Sequence, residues 1–290
     1  MQEGLDLSQR IRDKARELLA SGAVECVIGY ERASDGLTAR PFFACEPSDV
    51  DRLIFDQTCM HNLATFLVNK RNSTVAIVAK PCDSRAINLL LAEKQIQRER
   101  VYVIGVVCPG MVEATWGQIS DKLQPRCQLC REHTPLIYDF LVGEPPAEEP
   151  PVEPYLDVAE MEAKSVAERH SFWAEQFARC IRCYACRQAC PGCYCTECFA
   201  EQLDPLWVGI RIAPTENEFW HVIRAFHLAG RCIACNECER VCPVNIPLSL
   251  LNHKLEKDVL ELFGFRSGLS AEAVPPLATF KKEERLGISE

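Results

Sequence analysis

The chain has 290 residues, nearly half of them apolar, with a formal charge of −9 and eighteen cysteines. That length gives room for one large domain or two ordinary ones, and the negative balance disfavours nucleic acid as a partner. No apolar run of about eighteen residues is present to form a membrane span, and the opening MQEGLDLSQR lacks the basic-then-apolar pattern of a secretory signal, so the expected location is cytoplasmic. So many cysteines without an export signal point to metal ligation in a reducing, anaerobic or protected interior rather than to disulfides. Neither a G-x-G-x-x-G fingerprint nor a P-loop occurs.

In chain order, Ser8 is a candidate cap for a helix over Gln9–Leu19 that ends near Gly22. Val24–Tyr30 reads as a strand, and Ser34-Asp35-Gly36 as a turn. Ser48 could cap a second helix from Asp49 to Asn69, with Val50, Leu53, Ile54, Met60, Leu63, Ala64 and Leu67 on one stripe. Val75–Ala79 (VAIVA) is a wholly apolar run typical of a buried parallel strand. Asp83-Ser84 caps a helix through Gln95, and Val101–Val107 is the next buried strand. This is one strand–helix–strand crossover unit. It puts Cys82 and Cys108 just past the carboxyl ends of adjacent strands, the edge where open α/β sheets bind ligands. The helix amino terminus would favour a thiolate at Cys82. Cys127 and Cys130 follow as a C-x2-C. Four thiols from one edge and one loop could hold a cluster; equally, Cys82 and Cys108 could be small buried residues beside a separate zinc pair.

The segments KPCDSRAI, VIGVVCPGM and CQLCREHTPLIYDFLVG resemble the beta subunits of coenzyme F-420 hydrogenases and dehydrogenases. The resemblance covers residues 1–143. It implies that Cys82, Cys108, Cys127 and Cys130 ligate a 4Fe-4S cluster. It breaks off where family members that bind FAD continue their globular domain: here Gly143 runs into EPPAEEPPVEP, so FAD is not expected.

That proline- and glutamate-rich linker, 144–156, marks a domain boundary. A charged helix follows over Asp157–Ala178, with Phe172, Trp173 and Phe177 as core candidates. Then comes CIRCYACRQACP, and further on CIACNECERVCP. Each reads C-x2-C-x2-C-x3-C-P, the spacing at which three thiols wrap one cubane and the fourth ligates its neighbour. The expected sets are Cys180, Cys183, Cys186 and Cys242 on one 4Fe-4S cluster, and Cys190, Cys232, Cys235 and Cys238 on a second. Paired zinc knuckles are the plainer alternative, but they lack the third near thiol and the proline. Cys193, Cys195 and Cys198 belong to no two-cluster template; they are either a further metal site or spare thiols. Cys26, Cys45 and Cys59 read as buried thiols.

Between the motifs, Glu216–Leu228 is helical, with Phe219, Trp220, Ile223 and Phe226 at helical spacing and Gly230 as its stop. His221 and His227 on this helix read as surface or capping residues. Arg179, Arg182, Arg231 and Arg240 surround the cluster loops, where positive charge raises cluster potentials. Pro247–Phe263 is a last amphipathic helix. With Cys242-Pro243 followed by Ile246-Pro247-Leu248, this half resembles the α-helical ferredoxin domains of fumarate reductase and heterodisulfide reductase subunits. A tail follows, mobile or partner-bound.

The expected fold is therefore an α/β domain with a small parallel sheet (1–143), a linker (144–156), an all-α dicluster ferredoxin domain (157–264) and a tail (265–290). No nucleophile or acid–base pair is assembled along the chain. The expected function is an iron–sulfur electron-transfer subunit of an anaerobic oxidoreductase complex. Its partners would be other subunits of a redox complex of hydrogenase, formate dehydrogenase or heterodisulfide reductase type. Two readings stand beside it: a flavin-containing beta subunit acting on a deazaflavin or nicotinamide, and a zinc-binding scaffold.

Overall fold

The computed structural model describes residues 2–148, 152–276 and 279. Its first half is built on a five-stranded sheet of order β2-β1-β3-β4-β7. The strands are β1 (Cys26–Arg32), β2 (Ala39–Ala44), β3 (Val75–Ala79), β4 (Val101–Val106) and β7 (Phe140–Val142). β1, β3, β4 and β7 run parallel, and β2 is antiparallel to β1 at one edge. Pro41 sits in β2, where an edge strand tolerates a missing backbone donor. The remaining strands, β5 (Val112–Thr115) and β6 (Gln118–Leu123), form a separate hairpin.

Two helices cover this sheet, α1 (Gln2–Ala20) and α2 (Pro81–Ala92), and both pack on β3 and β4. Every residue of β3 is buried in consequence. Ser8 lies inside α1 instead of capping it. Its hydroxyl donates to the Phe55 carbonyl (3.3 Å) and accepts from the Phe55 N–H (2.9 Å). α2 likewise begins two residues before the expected Asp83-Ser84 cap. Asp83 instead accepts from Lys80 N–H (2.9 Å) and, across the fold, from Leu63 N–H.

The helix expected over Asp49–Asn69 does not form. Short 3-10 turns at Pro47–Arg52, Leu63–Phe66 and Val68–Lys70 replace it, and Ile54 bridges to Tyr30 between them. The apolar spacing was sound, since Val50, Leu53, Met60, Leu63, Ala64 and Leu67 are all buried. Tertiary hydrogen bonds from Ile54 N–H to the Tyr30 carbonyl and from Leu63 N–H to the Asp83 carboxylate outcompete the local ladder.

The second half is helical. The expected helix over Asp157–Ala178 is two, α4 (Leu156–Glu162) and α5 (Val166–Ala178), after a short α3 at Pro125–Gln128. Ser165 breaks the run: its hydroxyl accepts from Glu168 N–H, and the Glu168 carboxylate accepts from Ser165 N–H, a reciprocal cap. The others are α6 (Ala185–Gln188), α7 (Pro214–His227), α8 (Glu237–Arg240) and α9 (Leu248–Phe263). On α7 only Trp220 of the expected apolar stripe is fully buried; Phe219 and Phe226 are exposed.

The halves meet through buried polar groups. Arg85 of α2 donates to the Ser267 carbonyl and to Glu256 of α9, and Arg266 pairs with Glu132. Ile233 and Cys235 belong to the same apolar core as the sheet. The first part of the tail is thus fixed: Ser267 is buried, and the Gly268 carbonyl accepts from Asn88. Linker residues 149–151 and tail residues 277, 278 and 280–290 lie outside the described residues.

Candidate metal centres

Cys82 lies in the first turn of α2 and Cys108 just beyond β4, at the carboxyl edge of the sheet. Cys127 is in α3, and Cys130 follows it. The loops are pinned by backbone bonds: Cys108 N–H donates to the His133 carbonyl (2.9 Å) and Cys127 N–H to Gln124 (2.8 Å). Met111 N–H donates to Cys127 Sγ (3.3 Å). Gly110, at φ +107°, lets the chain turn there, and a Cβ would crowd Leu123 at 3.0 Å. These four cysteines line one cavity, together with Lys80, Arg126 and Cys235.

The two ferredoxin-like motifs fold alike. In the first, Arg182 and Tyr184 have φ of +50° and +58°; in the second, Ala234 and Asn236 have φ of +54° and +52°. These are the second and fourth residues after the leading cysteine in both. In each motif the second residue's N–H donates to the leading thiol, Arg182 to Cys180 (3.3 Å) and Ala234 to Cys232 (3.4 Å). Left-handed backbone at non-glycine residues costs about 1–3 kcal/mol each and collects at functional loops. A one-turn helix, α6 or α8, then carries the chain to the fourth cysteine.

Cys180, Cys183, Cys186 and Cys242 line a second cavity. Cys190, Cys232, Cys235 and Cys238 line a third. The structure therefore gathers all twelve sequence-predicted cysteines into three groups of four. The groups are in series. Cys235 of the middle group also lines the cavity at the sheet edge, and Cys238 packs with Cys180 and Cys186 of the last group. The last group reaches the surface, because Cys183 is exposed. Among the described residues, no three His, Cys, Asp or Glu side chains close around a single-ion site.

Burial governs the metal-free thiols. It pushes Cys108 up to about 12, Cys186 to about 11 and Cys238 to about 12. Cys82 is raised too, by burial and by Asp83, so the helix-terminus effect expected there is outweighed. Such thiols lose their protons when a cation binds, so loading releases protons.

Several polar residues around these groups carried no sequence signal. His221, expected at the surface, is 3% exposed. Its Nε2 lies 3.2 Å from Cys180 Sγ and its ring stacks on Phe177. Asn217 donates to the carbonyls of Phe177 (3.0 Å) and Cys180 (2.8 Å), fixing the end of α5 to the first motif. Asn252 Nδ2 faces Cys238 Sγ at 3.5 Å. Lys80 is fully buried beside the sheet-edge group, paired with Asp83 at 2.8 Å.

Two arginines stand between groups. Arg126, buried, donates to the carbonyls of Cys235 and Met60 and to Glu237 Oε1 (3.0 Å). Glu237 also binds Arg240. Arg224, 4% exposed, donates to the Cys186 carbonyl (2.9 Å). It pairs with no carboxylate among the described residues, and its Nε is buried without a partner. The thiols of Cys186, Cys190, Cys193 and Cys238 lie around it. Of the arginines picked from the sequence, Arg231 pairs with Glu93 and Arg182 donates to the Gly209 carbonyl.

Cys193 packs against Cys190, and the two share a hydrogen bond that raises the Cys193 thiol. Cys195 is exposed and Cys198 half-buried. Cys26 and Cys59 are buried, but Cys45 is exposed, contrary to expectation, because the chain leaves the edge strand there.

No family model matches the chain. It is similar to the F420-dependent formate dehydrogenase subunit beta of Methanocaldococcus jannaschii, 23% identical over an alignment that takes in 91% of this chain and 92% of the relative. It is similar also to the F420-dependent formate dehydrogenase 1 subunit beta of Methanococcus maripaludis, 23% identical over 90% of each chain. The resemblance to this beta-subunit family thus runs well past residue 143, into the cysteine-rich half. The first alignment spans 356 positions, more than the 290 residues here, so the relatives carry stretches with no counterpart in this chain.

Proposed function

We propose that the chain is an iron–sulfur relay subunit of a formate-dehydrogenase-type complex, carrying three 4Fe-4S clusters. The observation that carries this reading is the serial arrangement of the three cysteine quartets, each lining its own cavity and each abutting the next. Cys82, Cys108, Cys127 and Cys130 would hold the first cluster, Cys190, Cys232, Cys235 and Cys238 the second, and Cys180, Cys183, Cys186 and Cys242 the third. The surroundings fit such groups. A guanidinium as buried as Arg224, without a carboxylate, is expensive unless an anion lies beside it. A cubane held by four thiolates is such an anion. The clusters supply one-electron transfer; the chain supplies spacing, burial and hydrogen bonds to sulfur.

The beta-subunit names of both relatives support membership in a larger redox assembly, with formate chemistry on another subunit. The α/β domain (1–143) and the helical domain (157–264) would then face different redox partners. The domain limits, the cytoplasmic location and the anaerobic setting are part of the same proposal. A second reading is favoured by the F420-dependent names of the relatives: a flavin on the α/β half that exchanges electrons with a deazaflavin. Against it stands the shortened chain, which lacks stretches that the relatives have.

Iron and acid-labile sulfide on anaerobically purified protein, with EPR of the reduced form, test the proposal. Roughly twelve iron atoms per chain are expected, four per cubane. Cys127→Ser should remove one paramagnetic species and leave the coupled signal of the other two. About eight iron atoms would withdraw the sheet-edge cluster, one FAD per chain would favour the second reading, and colourless protein with stoichiometric zinc would overturn both.

A further inference from the structure

We infer that Arg224 is a potential-setting residue: a permanent, uncompensated buried cation between the last two cysteine quartets that holds both of their clusters at raised reduction potential. The inference rests on the relay reading above. Arg224 sits on α7, and its guanidinium donates to the carbonyl of Cys186, one quartet's member. Cys186 in turn packs with Cys238 of the other quartet. It is 4% exposed, so solvent does little to screen it.

The contrast with Arg126 sharpens the assignment. Arg126 occupies the corresponding gap between the sheet-edge quartet and the middle one, donating to the Cys235 carbonyl. Its charge, however, is met by Glu237 at 3.0 Å. One gap therefore holds a guanidinium in contact with a carboxylate, which Arg240 shares, and the other a guanidinium that meets no carboxylate among the described residues. Reducing a cluster adds one electron and one negative charge to it. A fixed positive charge nearby stabilises that product, so the reduced form gains over the oxidised one.

The test uses the full cluster-loaded chain, titrated with dithionite and monitored by EPR. Arg224→Met should shift the reduction equilibrium of the Cys180 and Cys190 clusters toward the oxidised form by on the order of tenfold, ~59 mV for a one-electron couple. The Cys82 cluster should stay within about threefold of the parent. Arg224→Lys keeps the charge and loses the planar fork, and should leave all three within about threefold. Iron content accompanies each titration. Should the methionine variant lose a cluster that the lysine variant keeps, the need for charge is likewise supported. Unshifted potentials in Arg224→Met with full iron would overturn the inference, as would a lysine variant that shifts as far as methionine, or loss of clusters in both. An iron-free parent would sink the relay reading itself, a different result from unshifted potentials in loaded protein.

Discussion

Arg85→Met tests how the two halves are held together. The Arg85 side chain is 4% exposed; it gives two hydrogen bonds to the Ser267 carbonyl, at 3.2 and 2.8 Å, and one to Glu256 Oε1 at 3.3 Å. Methionine keeps the length and removes every donor. Losing one partner of a buried ion pair costs about 3–5 kcal/mol. Glu256 retains Arg266 Nε at 3.6 Å, so the low end, about 3 kcal/mol, applies. That is more than about a hundredfold in the equilibrium between closed and open tail, at about 1.4 kcal/mol per decade. The bond after Arg266 is a trypsin site that must leave the junction to be cut. Under conditions where cleavage follows the open population, its rate should rise by roughly a hundredfold. A rise smaller than about threefold would refute the view that this arginine clamps the tail and α9 onto α2.

Gly268→Ala should open the same junction with Arg85 intact, because a Cβ there would lie 2.3 Å from the Arg85 carbonyl oxygen at a φ of +78°; at least about tenfold faster cleavage is expected. His221→Phe preserves the ring stack on Phe177 but removes the nitrogen 3.2 Å from Cys180 Sγ, so the Cys180 cluster alone should become harder to reduce in an EPR titration. Acid should loosen α4 from α9. Lys254 and Lys257 hold the Glu162 carboxyl down to about 2, and His253 lowers Asp157 despite its burial. A lowered carboxyl contributes its stability above its ordinary range and loses it as pH falls from about 4.5 toward 2, so the protection of α4 amides, taken relative to the intrinsic exchange rate at each pH, should fall across that window. Salt should weaken the Glu162 part, which is solvent-exposed.

What could be read from the chain alone was whatever depends on short spacings. VAIVA and VYVIGV announced buried parallel strands, and the two C-x2-C-x2-C-x3-C-P motifs announced two groups of four; the set of Cys82, Cys108, Cys127 and Cys130 came from the family resemblance, since spacing left a separate zinc pair equally open. Two of the failures come from long-range backbone and polar contacts. Asp83 looked like a local cap, but one of its oxygens serves Leu63, twenty residues earlier. The stripe from Val50 to Leu67 was apolar in the right places, yet Ile54 pairs with Tyr30 and the helix never forms. β7 went unseen because Phe140–Val142 is only three residues long. His221 and Arg224 carried no signal at all. A buried basic residue on an amphipathic helix has the same spacing as a surface one, and only the packing of α7 against α5 and α9 distinguishes them.

The exposure of Cys183 has a further consequence. Oxygen diffusing from solvent meets that end of the series first, since Cys183 is exposed while the cysteines of the sheet-edge quartet are buried or half-buried. If the quartets carry the proposed clusters, air damage should therefore advance inward from that end, removing iron from the Cys180 quartet before the others. In the proposed relay the same openness would mark where an electron most readily leaves or enters, so that the vulnerable end and the useful end would be one place.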